Sequence, residues 1–452
     1  MRGYQSKRRF VCGILTSCFV LGLLNFSVLP PTLPSDQSTW IVASLPFLNE
    51  TDTSKKNGTV QSEIVRSDGS PVSAARKFFI LNATEMSTWL IGNNTPHAIR
   101  YYKNCLNERS IEIWLHRGFE KLSGARTFDE KAATAFLIPY YGHFASTDPA
   151  KPDPEEFAKI LLQTRIHDKT KPHILLCPSL GNGEAGIGRL IGILQASGVN
   201  VWSVGIERNP SWQSIAAERI IPIPYLVKPA GSVVELKELA LRERKNSSVF
   251  YAGDERGNAV KWSGCNRSMV RPLMTAPNMV IKLTRDAEIR LSQPQYNQFM
   301  KTTEFCLILC GDTPTSRSLA SAVIHGCIPL RIGSRLRGLC EKPCKRGFGW
   351  RITGPKAPHL PYLNVIPWSE FPEVNEAAFV KAPEATLREV MESYSAEKKQ
   401  RLRDILVRVQ LGWIYGWGSP VTSTDFGEAA AYIWNSTLFL LDTIQNTTQD
   451  TR

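Results

Sequence analysis

Gly311-Asp-Thr-Pro-Thr-Ser-Arg317 gathers three hydroxyls, a proline and a cation within seven residues, directly after the apolar run Phe305-Cys-Leu-Ile-Leu-Cys310. A continuous apolar run of that length suits a strand buried in a parallel sheet. Thr313 stands where a helix N-cap belongs, and Pro314 where the first helical residue does. Leu319, Ala322 and Val323 form a helical stripe, Gly326 a C-terminal stop, and Cys327-Ile-Pro-Leu-Arg-Ile332 a second strand. The chemistry on offer is anion binding. Free N–H groups and the helix dipole, with Thr313, Thr315, Ser316 and Arg317 beside them, face the carboxyl end of a parallel sheet. A phosphate-bearing ligand is the natural occupant, although many α/β units of this shape bind nothing.

The elements that must position this loop follow from the rest of the chain. Strands are expected at Lys77–Leu81, Thr134–Pro139, His173–Cys177, Val199–Ser203, Arg219–Ile223 and Ser248–Ala252, and near Leu363–Ile366. Helices are expected at Ile111–Leu122, at Ile187–Ala196 after a Gly-rich loop, at Ala396–Gly412 and near Glu428–Ile444. Alternation of this kind in both halves predicts an α/β fold of two doubly wound, Rossmann-like domains facing each other across a cleft. A chain of 452 residues exceeds what one core usually serves. The boundaries expected are an N-terminal domain over 76–246, a second over 247–395 and C-terminal helices over 396–452.

The first 75 residues read differently. Arg2, Lys7, Arg8 and Arg9 form a basic tail over 1–9, and Phe10–Leu29 carry no charge before Pro30-Pro31. Twenty such residues are enough for one transmembrane helix, and the basic end marks the cytoplasmic side. The expectation is an uncleaved signal anchor over 10–29 and a luminal stem over 30–75, rich in Ser, Thr, Asp, Pro and Asn. Beyond residue 29, eight N-x-S/T sequons, at Asn49, Asn57, Asn82, Asn93, Asn246, Asn266, Asn435 and Asn446, fit a luminal body. The formal charge is +13, and subtracting the four basic residues of the tail leaves +9. A luminal location argues against nucleic acid and for anionic nucleotide-sugars or acidic glycans. Cys340 and Cys344 are spaced for a small disulfide, with no second Cys/His pair nearby to complete a zinc site.

Several blocks, in order, are similar to the exostosin family, glycosyltransferase family 47. Ala135-Phe-Leu-Ile-Pro-Tyr-Tyr141 resembles the family's A-D-L-F-F-V-P-F-Y strand, and Ile220-Ile-Pro-Ile-Pro224 its D-V-V-I-P-P strand. Val249-Phe-Tyr-Ala-Gly-Asp-Glu-Arg-Gly257 resembles F-F-x-G-x-x-R-G. Phe305-Cys-Leu, Gly311-Asp-Thr-Pro-Thr-Ser316 and Gly326-Cys-Ile-Pro329 resemble F-C-L…G-D-T-P-S-S…G-C-I-P-V. Pro367-Trp-Ser-Glu-Phe371 with Glu376 stands where D-Y-S-K-F…V-x-E would fall. The resemblance covers about 77–395. It implies a GT-B fold, a Golgi-type single-pass type II anchor, and inverting transfer from a UDP-sugar to a glycan or polysaccharide. Three positions depart from the family: Ser318 and Ser321 replace an arginine and an acid, and Lys261 replaces an arginine.

Inverting transfer needs the diphosphate held, its growing charge offset and a proton accepted. No D-x-D triplet occurs in the chain, so the expectation is a site that needs no metal and no cofactor. Donor contacts are then expected from Arg256, Lys261, Arg317, Thr313, Thr315 and Ser316, with Glu376 on ribose or sugar hydroxyls. Asp254 and His143 are the base candidates, followed by Glu184, while Asp312 reads as a turn residue. The expected partners are the UDP-sugar, the acceptor glycan, the membrane and a second family member in a homo- or heterodimer. The alternative is a catalytically silent subunit that scaffolds an active transferase, with Ser321 as the feature favouring it.

Overall fold

The computed structural model describes residues 76–81, 111–140, 153–178, 187–205, 219–229, 231–232, 234–236, 238, 244, 246–253, 267–283, 291–309, 317–332, 366–416 and 427–449. All of them belong to one compact unit, Ser73–Arg452. The expected anchor and stem lie outside the described residues. Among the described helices none is long and apolar enough to cross a membrane.

Among the described residues, ten strands form two five-stranded sheets, and every pairing is parallel. The first sheet holds β1 (Phe78–Ile80), β2 (Ala135–Ile138), β3 (His173–Leu175), β4 (Val201–Gly205) and β5 (Ile220–Pro222), in the order β1-β2-β3-β4-β5. The second holds β6 (Asn246–Gly253), β7 (Met279–Leu283), β8 (Thr303–Ile308), β9 (Ile328–Ile332) and β10 (Glu373–Val374), in the order β10-β9-β8-β6-β7. The β2, β4, β8 and β9 strands are buried along their whole length, as unbroken apolar runs require when helices cover both faces.

One face of the first sheet packs on α2 (Pro154–Thr164) and α3 (Ile187–Ala196). Phe136, Ile138, Leu175, Val201 and Ile220 meet Phe157 and Leu161 of α2 and Leu190, Ile191 and Leu194 of α3 there. The other face takes α1 (Ile111–Lys121) and α9 (Ala429–Gln449), where Phe78 sits edge-on to Phe119 at 5.4 Å and to Trp434 at 4.8 Å. Gly118 makes this approach close. A Cβ added there would stand 3.0 Å from the Ala430 Cβ. The C-terminal segment thus returns to the first sheet, and on the way Tyr415 Oη donates to the Pro224 carbonyl at 2.7 Å.

The second sheet packs on α4 (Gln293–Thr302), α5 (Arg317–Ile324) and α8 (Ala396–Val409). The short helices α6 (Glu376–Lys381) and α7 (Pro383–Glu392) precede α8. A Ser292–Gln295 capping box starts α4, and the Ser395 side chain caps α8. The amino edge of this sheet is an ion network. Glu304 pairs with Lys399 at 3.0 Å and with Arg403 at 3.5 Å, so α8 is tied to the start of β8.

The elements read from sequence appear close to their expected places, with two differences. The fourth strand starts at Val201 and not Val199, because Asn200 is used in a turn that exchanges bonds with Lys169 and His173. The last strand is β10, while Ile366 is a buried bend residue and the rest of Leu363–Ile366 lies outside the described residues. The elements α2, β7, α4, β10, α6 and α7, and a 3₁₀ stretch over Arg267–Thr275, are additions to the sequence reading.

Candidate active site

Strand order decides where a ligand can sit. In the second sheet the chain goes from β6 outward to β7, then crosses back past β6 to β8, β9 and β10. That reversal opens a crevice at the carboxyl ends of β6 and β8, where ligands of open α/β sheets bind. The segments leaving those two ends are 254–266, which holds Asp254, Arg256 and Lys261, and 310–316, which holds Thr313, Thr315 and Ser316. Helix α5 begins at Arg317, whose side chain is exposed.

Helix α5 is anchored at its far end. Gly326, at φ +66°, makes the left-handed stop that the sequence requires. Cys306 of β8 and Cys327, just before β9, form a disulfide with Cα atoms 5.7 Å apart. The guanidinium of Arg244 is 7% exposed and donates to the Met300 carbonyl at 2.9 Å, to the Thr303 carbonyl, and to the His325 carbonyl at 2.7 Å. These carbonyls end α4 and α5, so one cation caps two helix C-termini at the amino edge. Burial, with Arg403 nearby, lowers its pKa to about 9 against the opposing pull of Glu304. The N-terminus of α5 points the other way, to the carboxyl edge.

Of the sequence candidates, the structure places two at that edge. Arg317 opens α5. Glu376 is the half-buried first residue of α6, two residues past the end of β10, and Asn375 caps that helix by accepting from Ala378 N at 3.0 Å. Asp254, Arg256, Lys261, Asp312, Thr313, Thr315, Ser316, His143 and Glu184 lie outside the described residues. Ser321, where the resemblance leads one to expect an acid, is 2% exposed. On α4 the Tyr296 ring lies edge-on to Phe250 of β6, with centroids 5.5 Å apart. Burial raises the pKa of its phenol, while Ser321, Ser318 and Arg317 oppose the rise.

The carboxyl edge of the first sheet has a different chemistry. Glu112 of α1, 1% exposed, accepts from the Cys177 thiol at 3.5 Å, close to Tyr140. Burial pushes the Tyr140 phenol up, with Cys177, Glu112 and Asp153 adding to the effect. A buried carboxylate at the end of β2 and β3 was missed in the sequence because Glu112 sits among the apolar residues of Ile111–Leu115 as an ordinary first-turn acid. The Gly-rich loop between β3 and α3 also spells G-x-G-x-x-G, at Gly181, Gly183 and Gly186, with Glu207 two residues beyond β4. Those residues lie outside the described ones. The nucleotide-binding form of that motif works beside a reversal of strand order, and the first sheet has none among its described strands. Among the described residues no three His, Cys, Asp or Glu side chains converge as a metal site would need.

Residues 191–390 match the family model of the Exostosin GT47 domain. The chain carries an exostosin GT47 domain. The match begins inside α3, takes in β4, β5 and the whole second sheet, and ends in α7. The exostosin domain thus includes the carboxyl ends of β6 and β8, together with Arg317 and Glu376. Two parallel sheets with helices between their strands are consistent with the GT-B arrangement. No curated protein matches the chain significantly.

Proposed function

We propose that this protein is a Golgi signal-anchored, inverting glycosyltransferase that moves a sugar from a UDP-sugar to a glycan or polysaccharide acceptor. The observation that carries the reading is the reversal of strand order between β6 and β8 within the exostosin domain. It brings the ends of the two strands that lead into the candidate cations and hydroxyls to one crevice. The buried Cys306–Cys327 disulfide supports the compartment, since disulfides persist in the secretory pathway and are rare in the cytosol. The eight sequons agree.

In this reading the diphosphate lies across the crevice. The backbone N–H groups at the start of α5, the hydroxyls of Thr313, Thr315 and Ser316, and the cations Arg317, Arg256 and Lys261 offset its charge. Glu376 takes ribose or sugar hydroxyls. The acceptor oxygen bonds to the anomeric carbon as the bond from that carbon to the phosphate oxygen breaks. UDP leaves with the electron pair, and the hydroxyl proton passes to a base, for which Asp254 and His143 stand as candidates. The site requires no metal in this scheme, because cations and helix N–H groups occupy the role. A second family member as partner is part of the same proposal.

The silent-subunit alternative loses some of its motive. Ser321 is 2% exposed within α5, so a serine there is a packed helix residue. The test is UDP release by the purified full-length chain against a panel of UDP-sugars and acceptors. Turnover with one donor, reduced about a hundredfold in Arg317→Ala, is the expected result, in line with loss of one charge-stabilising group. Saturable UDP binding without turnover for any donor would favour the silent subunit.

A further inference from the structure

The amino edge of the first sheet collects cations in a row. Lys77 directly precedes β1, and its carbonyl accepts from Thr134 N at 2.7 Å, just before β2. On the outer side Thr127 N donates to the Phe78 carbonyl at 2.8 Å, so the segment that carries Arg126 lies along the start of β1. On the inner side Lys171, two residues before β3, donates from Nζ to the Lys131 carbonyl at 3.3 Å. Arg126, Lys77, Lys131 and Lys171 thus belong to four neighbouring segments at the start of a sheet whose strands lie about 4.8 Å apart. Over 76–77, 125–131 and 168–171 six Lys or Arg stand against three Asp or Glu, a net charge of +3. Of those acids, Asp129 accepts from Lys131 N at 3.0 Å as a turn residue, and Asp168 pairs with Lys171 at 3.8 Å. Phe128 stands in the same loop. It is 80% exposed, more than any other large apolar side chain among the described residues. A single exposed apolar side chain is ordinary. This one is held: Asp129 N donates to Thr127 Oγ1 at 3.1 Å, and the Arg126 guanidinium lies over the ring, 4.5 Å from its centroid. That guanidinium donates to the Glu120 carbonyl at 3.4 Å and pairs with no carboxylate among the described residues.

We propose that this edge is a docking site for an anionic polysaccharide, separate from the donor crevice. Phe128 stacks on the C–H face of one sugar residue, Arg126 takes the carboxylate or sulfate of that residue, and Lys77, Lys131 and Lys171 meet the acidic groups that follow along the row. An aromatic face beside a guanidinium suits such a residue. The negative face of the ring attracts the polarised C–H bonds of the sugar, and the acidic group offers two oxygens to the guanidinium fork. A neutral glycan would use the ring alone, and a small anion would use the cations alone, so the pairing of the two selects the occupant. The site holds the polymer and takes no part in the transfer step. It does not depend on the donor reading, because the donor crevice lies on the other sheet and at the carboxyl edge.

The test uses the purified full-length chain with a polyuronate, a sulfated polysaccharide and neutral dextran, and affinity is measured by calorimetry at low and high salt. The expected result is saturable binding of at least one acidic polymer, weaker at high salt, with none of dextran. The polyuronate and sulfated arms show which acidic group is read. Phe128→Ala, a change at an exposed position, should weaken that binding about tenfold, the order expected for stacking on one aromatic ring. Lys131→Ala should weaken it about threefold and flatten the salt dependence. Urea midpoints of both variants should match the wild type, so that lost affinity is not lost folding. Binding of neither acidic polymer would overturn the proposal, as would dextran bound equally well or unchanged affinity in Phe128→Ala. Displacement of the polymer by saturating UDP would also overturn it, by placing the polymer in the crevice. A chain that binds the polymer through Phe128 and turns over no UDP-sugar would keep this site and lose the transferase reading.

Discussion

Among the described residues the two sheets each have five parallel strands, and they differ in the order in which the chain visits them. The first runs β1-β2-β3-β4-β5 and carries a G-x-G-x-x-G loop after β3. The second runs β10-β9-β8-β6-β7 and carries G-D-T-P-T-S-R after β8 instead. The better-known phosphate motif therefore follows a sheet whose described strands show no reversal, and the less familiar one follows β8, beside the reversal. A loop motif supplies N–H groups, but the strand order supplies the place where a ligand can approach them. The two carboxyl edges also differ in charge. The first has the buried group Glu112, Cys177 and Tyr140, suited to holding a proton, and the second has Arg317.

The amino edges differ as well, and that gives the largest expected effect. At the amino edge of the second sheet the buried Arg244 is bonded to three carbonyls around the ends of α4 and α5. Arg244→Ala would leave those three buried carbonyls short of a partner, at a cost of about 3–5 kcal/mol. Urea unfolding should show that loss, and hydrogen exchange should place the loosening in α4 and α5 with the first sheet still protected. Equal loosening of both sheets would show that the two are not separate in this respect.

Acid should act in the opposite sense. Burial is the main cause that lowers His116 and His173, in the first half, and His325, at the end of α5, from 6.5 to about 4. Each is neutral in the fold and protonated in the unfolded chain between those values, so the unfolded state binds more protons there. Their contribution is full above pH 6.5, declines as pH falls, and is gone below about 4. Each is worth at most about 3 kcal/mol over that window. Two of the three lie in the first half, so a thermal scan at falling pH should show that half giving way first. A melting temperature that stays flat from pH 7 to 5 would remove these histidines from the account.

The smallest effect is the most pointed. Gly183→Ala, inside the G-x-G-x-x-G pattern, should leave UDP affinity within about twofold, whereas a working nucleotide loop relies on close backbone approach at that glycine. A large loss of UDP affinity would move the donor to the first sheet.

The unit from β8 through α5 to β9 was legible in the sequence because each of its signals is local. An apolar run, a helical stripe and Gly326 all act within a few residues, and the structure has a strand, a helix and a φ of +66° at those places. The strand β10 was not legible, because two residues carry no periodicity and pair only with Arg331 and Ile332 across the sheet. The reversal between β6 and β8 and the Cys306–Cys327 pairing were not legible either, since each joins segments far apart in the chain. For the site, residue types pointed to an anion and the structure puts Arg317 and Glu376 at one sheet edge, while Asp254 and His143 fall outside the described residues.

The most direct measurement is the hydrogen-exchange footprint of UDP on the full-length chain. Binding at the crevice of the second sheet predicts protection in 254–266 and 310–317, with 179–186 unchanged. Protection of 179–186, with 310–317 untouched, would contradict the assignment of the donor to the reversal between β6 and β8.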